Sequence, residues 1–171
     1  MKKAFCGVLV ASALLPVMST AADMTVKVGI PRIDVAEYHR PYVALWLENE
    51  SGAATTLSVW YDTGKRENGG TKWLKDMRQW WRKSGRDLTM PVDGVSGATR
   101  PVGEHSLQFS DLQAPLKGLA PGQYRLRVEA AREMGGRELV EIPFVWPPKK
   151  NQQLKADGKS ELGVVQLTLK P

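Results

Sequence analysis

Tyr124-Arg125-Leu126-Arg127-Val128-Glu129-Ala130 alternates apolar and charged side chains without a break. A period of two puts Tyr124, Leu126, Val128 and Ala130 on one face of an extended chain and Arg125, Arg127 and Glu129 on the other. The stretch predicts a half-buried strand, its alternating charge reading as a solvated face. Gly135-Gly136 then turns the chain into residues 138–146, where Val140, Ile142, Phe144 and Trp146 share a face. Pro143 there removes a backbone donor and assigns that strand to a sheet edge.

Working outward, strand signals recur. Residues 24–30 place Val26, Val28 and Ile30 opposite Thr25, Lys27 and Gly29, and residues 55–61 alternate again after the hairpin loop Glu50-Ser51-Gly52-Ala53. Residues 42–47 are apolar on both faces, which predicts a strand covered on both sides. Residues 164–169 close the set. One helix is expected among them, with Thr71 as N-cap and Trp73, Met77, Trp80 and Trp81 at helical spacing over about three turns. Its favoured role is packing on the doubly apolar strand; the competing role is stacking of a Trp on the flat ring of a bound cofactor. Residues 149–159 are polar and read as a loose loop. Leu107-Gln108-Phe109-Ser110-Asp111-Leu112 and then Gly118-Leu119-Ala120-Pro121-Gly122-Gln123-Tyr124 resemble the strand, loop and Pro-Gly-x-Tyr turn of bacterial immunoglobulin-like domains. The expected fold is mainly β: an antiparallel immunoglobulin-like β-sandwich with one inserted Trp-rich α-helix.

Residues 1–22 read as a cleaved secretory signal, with Lys2 and Lys3 before an apolar run and Ser19-Thr20-Ala21-Ala22 at its end. The run is too short for a transmembrane helix. Residues 23–171 then form one domain with no transmembrane segment, and Cys6, the single cysteine, leaves with the signal. Disulfides and thiolate metal sites are thereby excluded from the mature chain. Loss of Lys2 and Lys3 lowers the formal charge from +6 to +4. The remaining cations are interspersed with acids, a solvated basic surface rather than a nucleic-acid footprint.

The specific functional signal is Asp93-Gly94-Val95-Ser96-Gly97-Ala98-Thr99, followed by Arg100 and Pro101. It resembles the acceptor motif of bacterial flavin transferases, Asp-Gly-x-Ser/Thr-Gly-Ala-Thr, whose last Thr receives a covalent FMN from FAD with the help of Mg²⁺. The resemblance makes Thr99 the acceptor and Ser96 its rival. Gly94 and Gly97 permit positive φ and close approach, and Ala98 leaves little bulk. Asp93 either orients the loop through an Asx-type bond or meets the transferase metal, and Arg100 is expected to pair with the phosphodiester. An ordinary pair of Asp-Gly and Ser-Gly turns is the plain alternative.

Tyr42-Val43-Ala44-Leu45-Trp46-Leu47-Glu48-Asn49, the Trp-rich segment, residues 93–103 and residues 123–142 together resemble a family of predicted periplasmic proteins, the domain of unknown function 2271. That resemblance implies a periplasmic setting, a flavin transferase and a PepSY-type membrane protein as associates, and electron transfer outside the cytoplasmic membrane. His39 and His105 show no metal spacing and read as satisfied histidines. No nucleophilic triad order is present. The chain reads as a carrier of covalent FMN more than as an independent enzyme, with a non-catalytic immunoglobulin-like binding or scaffold module as the alternative.

Overall fold

The computed structural model describes residues 21–171. Apart from Ala21 and Ala22, the expected signal lies outside the described residues. Nine strands follow in the described residues: β1 (Asp23–Ile30), β2 (Tyr42–Asn49), β3 (Ala54–Tyr61), β4 (Ser96–Ala98), β5 (Gly103–Ser110), β6 (Gly122–Ala131), β7 (Arg137–Trp146), β8 (Gln152–Asp157) and β9 (Val164–Lys170). One short helix, α1 (Arg78–Lys83), stands between β3 and β4. The protein is mainly β and is built as two sheets. One has the order β5-β1-β9-β8, the other β4-β3-β2-β6-β7. All pairings are antiparallel except β3 with β4, which is parallel.

The alternation seen in the sequence decides which faces meet. Met24, Val26 and Val28 of β1 and Val165, Leu167 and Leu169 of β9 share one apolar cluster with Leu45 and Leu47 of β2 and Leu126 and Val128 of β6. Each such buried side chain contributes about 1.5–3 kcal/mol relative to exposure. The doubly apolar β2 is covered on both sides, as expected. Its other face, with Tyr42, Ala44 and Trp46, packs under Leu74, Met77 and Trp80 in a second cluster. Pro143 sits in β7, the outer strand of its sheet, where its missing N–H breaks no central ladder.

Three expectations need correction. The three-turn helix is instead a 3-10 segment, Arg66–Asp76, and the six-residue α1, separated at Met77 by a non-helical φ/ψ of −78°/72°. Thr71 caps nothing; its hydroxyl donates to Asn68 O at 2.7 Å. The new helix start is set from a distance, because the Glu129 carboxylate accepts the Gln79 and Trp80 amides, each at 2.9 Å. Gly70 adds a second constraint, since it lies against the Asp62 backbone where a Cβ would collide with the Asp62 carbonyl. Second, the polar stretch 149–159 contains strand β8, paired along β9. Third, β6 is half-buried only at its start: Glu129 is fully buried rather than solvated.

Candidate functional site

The acceptor stretch is an edge of the second sheet more than a free loop. Val59 pairs with Ser96, Trp60 with Gly97 and Tyr61 with Ala98. Two flanking bonds pin its ends: the Val59 amide donates to Val95 O at 2.9 Å, and the Thr99 amide to Tyr61 O at 3.1 Å. The turn before it is closed by Ser96, whose Oγ accepts the Val92 amide at 2.8 Å. Gly94 takes φ +69°, the left-handed conformation that glycine adopts freely. Gly97 is extended, and a Cβ there would meet the Trp60 ring at 3.5 Å, an ordinary contact. Asp93 is exposed and its carboxylate has no hydrogen-bond partner among the described residues. The backbone of the motif is therefore fixed by β3 while Asp93 and Ala98 face outward.

Thr99 lines a cleft of about 470 Å³ together with Tyr38, His39, Arg40, Tyr42, Asp62, Lys65 and Glu133. Five segments converge here: the β1–β2 connection, the start of β2, the loop after β3, the end of the motif, and the β6–β7 turn. Lys65 Nζ lies 3.6 Å from Glu133 and 3.9 Å from Asp62. His39 lies 3.2 Å from Glu37 and 4.0 Å from Glu133. Arg40 makes no ion pair among the described residues. Tyr42 is buried, and its hydroxyl has no hydrogen-bond partner among the described residues. Burial pushes that hydroxyl's pKa up; the nearby Asp62 amide pulls the other way without closing a bond, and the Asp62 and Glu133 carboxylates add to the rise. Tyr42 thus keeps a neutral O–H that is unpaired among the described residues and closed off from solvent in the wall of the cleft.

Arg100 is placed apart from this cleft. Its guanidinium lies over the Trp60 ring, 5.4 Å from the centroid, and His105 meets the same ring edge-on at 5.9 Å. Trp80 is fully buried under α1 with its Nε1–H donated to Thr56 at 3.1 Å, in the packing role the sequence favoured. Trp73, by contrast, is 39% exposed. Among the described residues no group of three or more His, Cys, Asp or Glu is arranged to hold a metal ion.

The sequence located the motif but missed its surroundings. His39, expected to be a satisfied histidine, lies against Glu37 and Glu133, and Tyr42 is the buried strand position expected; what the sequence did not show is that both line the cleft that Thr99 lines. The signal that marks them is the polar and aromatic run Tyr38-His39-Arg40 immediately before a strand whose end lies next to the acceptor. Two other acidic side chains carry structure. Arg132 and Glu161 form a buried pair at 2.9 Å. Glu138 accepts the amides of Ser160, Glu161 and Leu162 at 2.9–3.0 Å, together with that of Lys159.

Two solved structures show partial likeness: human GIVD cytosolic phospholipase A2 with methyl gamma-linolenyl fluorophosphonate, and the same enzyme with that inhibitor and terbium chloride. Each is 12% identical at a TM-score of 0.33, the match covering 89% of this chain and 17% and 18% of theirs. The chain spans less than a fifth of those structures. So low a score carries no argument about fold or activity. No curated protein matches. Among the described residues no helix is long and apolar enough to cross a membrane. The family model for DUF2271, described as a predicted periplasmic protein, matches residues 23–164. The chain belongs to that periplasmic family, DUF2271.

Proposed function

We propose that this protein is a periplasmic carrier of FMN, joined covalently to Thr99 by a flavin transferase and used for electron transfer. The observation that carries the reading is the complete ordered motif from Asp93 to Thr99 ending at a polar cleft. The cleft's size falls in the roughly 300–1,000 Å³ range of small-molecule sites. Its residues fit a phosphodiester: Arg40 offers a cation that makes no ion pair among the described residues, and the orphaned Tyr42 hydroxyl lies in the cleft wall, where a small shift of its cover would open it to an acceptor. In the transfer, the Thr99 oxygen bonds to the FMN-side phosphorus of FAD as the pyrophosphate bond breaks. AMP leaves, and the hydroxyl proton goes to a base of the transferase. FMN supplies the redox chemistry; the protein supplies the anchor, the charge and the orientation.

The chain's own residues have distinct parts in this. The β3 ladder fixes the motif's backbone, so the acceptor is presented to the second enzyme in one conformation. Asp93, exposed and without a partner among the described residues, is left for the transferase and its Mg²⁺. Ser96 holds the turn through the Val92 amide, and Gly94 allows that turn its sharp bend. Gly97 and Ala98 keep bulk away from the approach. Arg100, stacked on Trp60, steadies the chain beyond the acceptor; to reach the phosphodiester it must leave that ring. A PepSY-type membrane protein is the proposed redox partner.

The frame for this site is read as an immunoglobulin-like sandwich. Tyr124, at the start of β6, donates its hydroxyl to Ala120 O at 2.7 Å, the tyrosine corner of that class. The order β7-β6-β2-β3 opposite β5-β1 also matches it, with β9 on the outer flank of β1.

Co-expression with an active flavin transferase in the periplasm tests the function. The wild type should become yellow and retain its flavin through denaturation, whereas Thr99→Val should fold and stay colourless. Equal covalent flavin on both would move the anchor to Ser96. A colourless wild type beside a modified control substrate would favour the scaffold alternative.

A further inference from the structure

Beside the Thr99 cleft lies a second hollow of about 370 Å³, lined by Arg32, Ile33, Asp34, Val35, Tyr38 and Val102. Tyr38 lines both hollows, so they adjoin. Their chemistry differs. The Thr99 cleft is bordered mainly by charged and hydroxyl side chains. This one has Val35 40%, Tyr38 36% and Val102 46% exposed, three large apolar side chains brought together at the surface. Together they form a small apolar patch at a hollow, a surface of the kind that ligand-binding grooves offer. Arg32 and Asp34 add one donor group and one acceptor to the apolar surface.

We infer that the isoalloxazine ring of the flavin on Thr99 docks in this second hollow, with Tyr38 against the ring and Val35 and Val102 as its apolar floor. The inference rests on the proposed flavinylation and adds where the ring goes. Three observations argue for this occupant. Tyr38 connects the hollow to the acceptor's cleft. Val102 follows Thr99 by three residues, at most about 11 Å of extended chain, which a phosphate with a ribityl arm can span. The surface also matches the ligand's two-sided chemistry: a flat ring with an apolar dimethylbenzene end and a polar pyrimidine edge. Arg32 and Asp34 can hydrogen-bond that edge while the apolar end covers Val35 and Val102. The β1–β2 connection, which supplies five of the six residues of this hollow and three of the eight of the Thr99 cleft, is thus the flavin-binding loop of the protein.

The test uses the full-length mature protein after flavinylation, with three variants: Tyr38→Ala, Val35→Asp and Leu112→Ala. Leu112 is 68% exposed and borders neither hollow, so it serves as the control. Intact mass reports attachment; flavin emission and its anisotropy report docking. A phenol held against the ring quenches its emission, so the wild type should be severalfold dimmer than free FMN, with an anisotropy set by tumbling of the whole protein. Tyr38→Ala should brighten severalfold and Val35→Asp should lower the anisotropy, each with full mass increment and unchanged melting, while Leu112→Ala matches the wild type. A wild type that carries the mass increment but is as bright and mobile as free FMN overturns the docking and leaves the attachment standing. So do Tyr38→Ala and Val35→Asp proteins indistinguishable from it. A wild type without the increment, beside a modified control substrate, overturns both.

Discussion

The outer face of the five-stranded sheet is finished in two different ways. Over its middle, Leu74, Met77 and Trp80 close on Ala44 and Trp46 and leave no solvent contact. At the end marked by Tyr42, Tyr61 and Asp62 the cover stops, and the same strands border an open cleft beside Thr99. The two stretches responsible, 66–87 and 93–99, are neighbours in sequence. One is aromatic and basic, the other small and hydroxylated. The contrast separates stabilising from functional residues more cleanly than residue type does. An aromatic stripe reads equally well as core or as flavin clamp, and only its placement decides. Here the buried Trp80 belongs to the core, while the exposed Tyr38, outside any helix, stands beside the acceptor.

Substitutions should break this contrast in a graded way. Trp80→Ala is expected to cost about 3–5 kcal/mol, because it removes a fully buried indole and its hydrogen bond to Thr56, which keeps only its bond to the Ser84 hydroxyl. Chemical denaturation measures that loss; a near-wild-type midpoint would mean the segment is not part of the core. Met77→Ala should cost about 2–5 kcal/mol on the same argument, since Met77 is fully buried. Trp73→Ala should cost much less, because Trp73 is 39% exposed. Equal costs at 73 and 77 would restore the continuous helix expected from the aromatic spacing.

Two glutamates give a finer comparison, in pH. Burial pushes the Glu129 carboxyl up, and the Trp80 and Gln79 amides and Arg137 only partly offset it. The folded protein then holds that proton to higher pH than the unfolded chain. Its contribution is full below the ordinary carboxylate pKa and is lost as pH rises through the folded value. Glu138 runs the other way. Burial is again its largest single effect and pushes it up, but four backbone amides together outweigh it and hold the carboxyl down. Its contribution is present above the ordinary carboxylate range and lost as pH falls through the folded value. In melting-temperature profiles, Glu129→Gln should flatten the decline above the ordinary carboxylate pKa. Glu138→Gln should flatten the one below it. Profiles parallel to the wild type would refute the assignments.

Much of the fold was legible because its signal is local. The alternation in β1, β3, β6 and β7 and the doubly apolar β2 each follow from a few consecutive residues meeting one or both of the two apolar clusters. The misreadings have distant causes. The break at Met77 depends on Glu129, some fifty positions on, and no local spacing encodes it. Strand β8 is an edge whose apolar content is limited to Leu154 and Ala156, so its polar composition resembled a loop. Strand β4 is Ser-Gly-Ala, with weak intrinsic β preference, and exists because β3 offers it a parallel ladder. The acceptor motif was readable as an ordered string. Its cleft was not, because Tyr42, Lys65 and Glu133 meet only after the sheet forms.

The central claim is that Thr99 is the covalent anchor, and intact mass with peptide mapping tests it most directly. Protein recovered from the periplasm of cells with an active flavin transferase should be about 438 Da heavier than its unmodified chain, the mass of FMN less one water. The increment should map to the peptide that contains Thr99 and be missing from Thr99→Val. An unmodified wild type beside a modified control substrate, or the same increment on Thr99→Val, would contradict the account.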